Sequence, residues 1–116
     1  MSREQRLSEV LRKYETAYSK RNPKSFHHLE AAKKYMPGGD TRTSIWFPPY
    51  PIWIEKAEGC GFRDADGHLY TDFHNCYSTM ILGHANPGVV AAVREQSARG
   101  TALGALIPKV VDWAER

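Results

Sequence analysis

The chain has 116 residues, of which 41% are apolar, 11% aromatic and 25% charged, with a net charge of +3. That length holds one domain at most, and the apolar and aromatic content excludes a disordered tail. No run of about 18 uncharged apolar residues is present to cross a bilayer. Met1-Ser2-Arg3-Glu4-Gln5-Arg6 leads into no apolar stretch of the kind a secretory leader needs. Cys60 and Cys76 are too few for a disulfide framework and form no CxxC pair. A soluble, cytoplasmic protein is expected.

The charge is unevenly placed. Residues 1–36 carry nine basic and four acidic side chains, and residues 37–116 carry seven and nine. In the first segment Glu4, Glu9, Glu15 and Glu30 interrupt the basic residues, so a solvated helical face is expected rather than a nucleic-acid surface.

Ser2 and Gln5 have the spacing of a capping box. Leu7, Val10, Leu11, Tyr14 and Tyr18 then follow at helical spacing, which predicts an amphipathic helix ending near Lys20. Asn22-Pro23 predicts a second start, with Asn as N-cap and Pro at the first helical position. Phe26, Leu29, Ala32 and Tyr35 share one face of this helix, and Pro37-Gly38-Gly39 ends it. Pro48-Pro49-Tyr50-Pro51 predicts an extended connector. Strands are expected at Ile52–Lys56, Cys60–Arg63 and Leu69–Phe73, with Asp66-Gly67 as a type I′ hairpin turn between the last two. Such a small antiparallel sheet has edges that nearby helices would have to cover.

Asn86-Pro87 predicts another capped helix, carrying Val89, Val90 and Val93 and running to about Gly100. A loop over 100–104 precedes a last helix that opens at Pro108. That helix reaches Arg116 without a stop signal, so the chain is expected to continue.

Chemistry-bearing residues are sparse. Asp64-Ala65-Asp66-Gly67 resembles part of a calcium loop, yet Phe62 and Phe73 stand where its end ligands belong, and a hairpin turn accounts for it. His68, His74, Cys76 and His84 carry donor atoms without a zinc spacing. The glycine pairs lack the context of a phosphate cradle, and none of the seven lysines marks itself as a nucleophile; Lys109 among apolar residues reads as snorkelling. No catalytic, cofactor-binding or metal-binding residue emerges. Arg42 stands apart: a planar fork of donors in a Gly/Thr loop beside Trp46-Phe47 suits a carboxylate, whereas spacing alone favours an ordinary surface arginine.

Tyr35-Met36-Pro37-Gly38-Gly39, Arg42, Gly61-Phe62-Arg63-Asp64-Ala65-Asp66-Gly67 and Met80-Ile81-Leu82-Gly83-His84-Ala85-Asn86-Pro87 together resemble the opening of the class III pyridoxal-phosphate-dependent aminotransferases. The branch most resembled holds glutamate-1-semialdehyde aminomutase and the β-amino-acid transaminases. The resemblance runs from about residue 22 to the end. It implies an α+β fragment, the N-terminal subdomain of a fold-type I enzyme. The expected division is 1–36 helical, 37–84 substrate loop and small sheet, and 85–116 helices leading into a large cofactor domain. It further implies a homodimer acting on a small amino-acid substrate through pyridoxal phosphate, and the composition and charge spacing lead to no expected nucleic-acid or membrane partner. The phosphate loop, the pyridine-pairing aspartate and the Schiff-base lysine would all lie downstream.

By resemblance, Arg42 grips the substrate carboxylate and Tyr77 lines the substrate pocket, where aminomutases commonly carry Trp. The Gly39–Arg42 loop is shorter than the aminomutase form, which favours a transaminase, whereas Met80–His84 favours an aminomutase. Two readings of other classes stand beside this one: a non-catalytic binding module, and a basic nucleic-acid binder resting on the N-terminal charge alone.

Overall fold

The computed structural model describes residues 1–115, with Thr43 described by its backbone alone. Helix α1 spans Arg3–Arg21 and starts on the expected capping box: Gln5 N–H donates to Ser2 Oγ at 3.1 Å, and Ser2 N–H donates to Gln5 Oε1 at 2.7 Å. None of its residues is buried. The stripe of Leu7, Val10, Leu11 and Tyr14 is present and open to solvent.

Helix α2, Pro23–Ala32, begins where the Asn-Pro pair puts it, but its cap is different. The side chain of Asn22 makes no capping bond to α2; its amide donates back to the Tyr18 carbonyl at 2.9 Å and closes α1. The orphan donors of α2 go to Asp66, more than 40 residues away in sequence. Lys24 N–H donates to Oδ1 at 2.8 Å, and the Ser25 N–H and hydroxyl donate to Oδ2 at 3.1 and 2.8 Å. A sequence pattern sees only local caps, so this one was invisible.

Leu29 and Ala32 are buried as the stripe requires, whereas Tyr35 lies past the last helical residue and is exposed. Gly38 and Gly39 follow at φ 72° and 78°. Gly39 is packed so closely on α2 that a Cβ there would sit 2.6 Å from Leu29 Cδ1.

The connector delivers the largest core residue. Tyr50 is buried, its ring contacts Tyr18 and Phe26, and its hydroxyl donates to the Asn22 carbonyl at 3.2 Å. Tyr18 in turn donates its hydroxyl to the Tyr50 carbonyl at 2.7 Å. Burial, with the neighbouring Tyr50, Tyr70, Asp64 and Asp66, pushes the Tyr18 hydroxyl up to about 12, so it stays a donor.

The three strands form an antiparallel sheet in the order β1-β2-β3: β1 Ile54–Glu58, β2 Gly61–Asp64 and β3 Leu69–Thr71. The first begins two residues later than expected because Trp53 is tied elsewhere. Its N–H donates to Ser25 Oγ at 3.2 Å and its carbonyl accepts from Ala65 N–H at 2.7 Å. A register shift between Ile54 and Lys56 follows. Cys60 lies in the two-residue turn between β1 and β2 rather than in a strand.

The second hairpin turn is not type I′, which needs two central residues at positive φ. Gly67 N–H donates to the Asp64 carbonyl at 3.0 Å, placing Ala65 and Asp66 at the centre, and only Gly67 is at positive φ. The sheet is covered only in part: Ile54 and Leu69 are exposed, whereas Asp64 is buried, Arg21 of α1 lies 6.0 Å over the Tyr70 ring, and the ties to α2 run through Asp66, Ser25 and Trp53.

Residues Met1–His84 form one compact unit and Ala85 onward a second. Within the second, α4 (Pro87–Arg99) has the local cap the sequence predicts. Asn86 Oδ1 accepts from Gly88 and Val89 N–H at 3.0 and 3.3 Å, and Gly100 at φ 103° ends the helix. Helix α5 spans Pro108–Ala114. The expectation about Arg116 falls outside the described residues.

Candidate functional site

Arg42 sits just before a single 3₁₀ turn, Thr43–Ile45, and its carbonyl accepts from Ile45 N–H at 3.2 Å. Its side chain is exposed, and no hydrogen bond or ion pair engages it among the described residues. Trp46 and Phe47 are partly exposed beside it, with Phe47 edge-on to Tyr18 at 6.2 Å between ring centroids. A guanidinium held on a short turn and left without an internal partner can take a carboxylate in bidentate fashion.

Tyr77 lies on a different element. Beyond β3 the chain forms α3, a four-residue turn Asn75–Ser78, and all four residues are at positive φ: 51°, 47°, 57° and 64°. This is a left-handed helical turn built without glycine. Such a conformation costs about 1–2 kcal/mol per residue because Cβ crowds the following carbonyl. Runs of this kind persist only where their surroundings over-determine them, and they concentrate at functional sites. The turn presents Tyr77 outward, 56% exposed.

Its support comes from residues that sequence reading passed over or weighed for another role. Asp72 Oδ1 accepts from the N–H groups of His74 and Asn75 at 2.9 and 2.8 Å, and Oδ2 meets His84 Nε2 at 2.7 Å. His84 is itself fixed to the first hairpin turn by reciprocal backbone bonds with Gly59 at 2.8 and 2.9 Å. The approach is close enough that a Cβ on Gly83 would lie 2.9 Å from the Gly59 carbonyl oxygen. The His74 ring stands edge-on to Tyr77 at 4.3 Å between centroids. The His84 partner, then the Asn75 N–H, hold the Asp72 carboxyl below the usual carboxylate range, so it is ionised at neutral pH.

The second Asp-His pair is structural. Asp64 is fully buried; it accepts from His68 N–H at 2.7 Å and Tyr70 hydroxyl at 3.0 Å, with His68 Nδ1 at 2.9 Å. Burial pushes its carboxyl up, and the hydrogen bonds from His68 and Tyr70 outweigh that and bring it below the usual range. The four donors weighed for zinc are therefore engaged separately: His68 with Asp64, His84 with Asp72, His74 with Tyr77, and Cys76 exposed on the left-handed turn. Arg42 and Tyr77 lie in the same compact unit, and no hydrogen bond or ring contact joins them among the described residues.

Residues 44–112 match the profile of the family described as Aminotransferase class-III. The chain belongs to that family. Glutamate-1-semialdehyde 2,1-aminomutase of Methanocaldococcus jannaschii is 43% identical to this class III chain over 92 residues, covering 79% of the chain and 22% of the relative. Among solved structures, the β-phenylalanine aminotransferase of Variovorax paradoxus superposes with a TM-score of 0.81 at 33% identity, over 86% of this chain and 23% of the other. A transaminase solved with PLP bound gives a TM-score of 0.77 at 36% identity, over 81% and 22%. The class III chain thus spans under a quarter of the length of these relatives. The α+β architecture expected from sequence, helices with a three-stranded antiparallel sheet, is the one these neighbours share.

Proposed function

We propose that the chain is the N-terminal, substrate-facing part of a pyridoxal-phosphate-dependent transaminase that moves an amino group on a carboxylate-bearing amino acid. Within it, Arg42 binds the substrate carboxylate and Tyr77 forms a wall of the pocket. The observation that carries this reading is the likeness at 33% identity and a TM-score of 0.81 to an aminotransferase of a β-amino acid. The exposed, unpaired guanidinium of Arg42 supports the residue assignment.

The described residues do not themselves fit the cofactor. All seven lysines are exposed, and Lys33 and Lys56 are paired with Glu30 and Glu58. Pyridoxal phosphate would be held by residues of a longer chain, so no step through it is assigned to this segment. The remaining parts of the proposal are the division at 1–36, 37–84 and 85–116, a cytoplasmic location and a homodimeric parent. No helix among the described residues is long and apolar enough to cross a membrane.

The test compares Arg42→Ala with wild type in the longer protein, on an amino acid and on an amine lacking the carboxylate. Losing the charge partner of a partly desolvated carboxylate costs about 2–5 kcal/mol. The expected loss in kcat/KM therefore exceeds tenfold for the amino acid and is small for the amine. An equal loss for both would make Arg42 structural.

The aminomutase reading rests on the 43% identity to that relative. A mutase shifts the amino group within one molecule and turns over without a 2-oxo acid acceptor, whereas a transaminase stalls without one. Turnover with and without the acceptor separates the two.

A further inference from the structure

The left-handed turn Asn75–Ser78 needs a cause, and the side chains of Asp72 and His84 supply one. We propose that these two residues form a clamp that holds the turn, and through it Tyr77, at the substrate pocket. They are positioning residues: neither touches Tyr77; Asp72 holds the backbone that carries it, and His84 acts through Asp72. This rests on the reading of Tyr77 as a pocket wall.

The geometry of the clamp is continuous. One carboxylate oxygen of Asp72 collects the two N–H groups that open the turn, at 2.9 and 2.8 Å, so the chain must reverse immediately after β3. The other oxygen is fixed by His84 Nε2 at 2.7 Å. His84 cannot follow a moving turn, because its backbone is bridged to Gly59 at the end of β1. The far side of the turn closes on itself, with Asn75 carbonyl accepting from Thr79 and Met80 N–H at 3.1 and 3.3 Å. Asp72 and His84 side chains are only 10% and 20% exposed, so water competes weakly for the bond between them. Without the carboxylate, two N–H groups would lose their acceptor and the positive-φ residues could relax toward the ordinary right-handed region.

The test uses the full-length holoenzyme with His84→Ala, His84→Gln, Tyr77→Ala and the double variant His84→Ala/Tyr77→Ala. Gln offers an N–H donor close to the position of Nε2, whereas Ala offers none. Hydrogen exchange of the peptide covering 73–80 is expected to quicken at least tenfold in His84→Ala and less than threefold in His84→Gln, with the α2 peptide unchanged in both. In steady-state assays both single alanine variants are expected to raise KM for the amino acid. The double variant should be no worse than the worse single, because both lesions act through one side chain. Unchanged exchange at 73–80, additive KM effects, or global unfolding of His84→Ala with Gln no better would each overturn the clamp. A wild-type enzyme with no transaminase or mutase turnover would overturn the functional reading instead, and the exchange measurement would still decide the clamp.

Discussion

At Gly39 the backbone stands at φ 78° with α2 directly against it, so two separate constraints forbid a side chain. A Cβ would strain the left-handed conformation and press on Leu29, which is 2% exposed and among the few buried apolar residues. Gly39→Ala is expected to destabilise the first unit by about 1–3 kcal/mol. Faster hydrogen exchange of the α2 amides in the longer protein would report it, and unchanged protection would mean that the loop simply shifts. Arg42, three residues on, is placed by the same loop. On the proposed role of Arg42, a slack Gly39 would then also raise KM for carboxylate substrates.

At the level of elements, α2 and the β2–β3 hairpin are joined by one carboxylate. Burial pushes the Asp66 carboxyl up, and the bonds from Lys24 N–H and from the hydroxyl and N–H of Ser25 outweigh it, leaving it below the usual range. Asp66→Ala removes the cap of α2 and strands the Ser25 hydroxyl, which is 0% exposed and would keep only the Trp53 N–H it accepts. The expected cost is about 1–2 kcal/mol, read as lost α2 protection while α1 is unaffected.

Asp64, Asp66 and Asp72 all have lowered pKa values. Each binds its proton less readily folded than unfolded, so its contribution is complete above the unfolded value, about 4, and is lost as pH falls below that. Protection of the hairpin and of residues 73–80 should therefore stay level from pH 7 to about 5 and decline below about 4. A decline centred near pH 6 would contradict this account.

At the scale of the whole molecule, the buried apolar core among the described residues consists of Leu29, Ala32 and Tyr50, while Leu7, Val10, Leu11 and Tyr14 of α1 and residues such as Val93, Leu106 and Val111 face solvent. A domain this small has little margin even when its apolar faces are covered. The isolated 116-residue chain is expected to bind a hydrophobic dye and to melt broadly. A sharp two-state transition from a monomer would show that the small core and its polar ties suffice.

Sequence alone determined what depends on neighbours in the chain. The capping box of α1, the Asn-Pro start of α4, the three strands and the overall α+β class all follow from residues within four or five positions of one another, where periodicity and capping operate. The motifs Tyr35–Gly39, Arg42, Gly61–Gly67 and Met80–Pro87, taken together, likewise sufficed to place the chain among class III aminotransferases. Tertiary structure decided whatever depends on residues distant in sequence. Asp66 rather than Asn22 caps α2, Tyr50 of the connector rather than the exposed α1 residues Leu7, Val10, Leu11 and Tyr14 joins Leu29 and Ala32 in the core, and Asp72 with His84 sustains a left-handed turn that no local propensity favours. Hydrogen bonds over 12 to 42 positions leave no periodic trace in the sequence, and they stabilise conformations that the local chain would not adopt by itself.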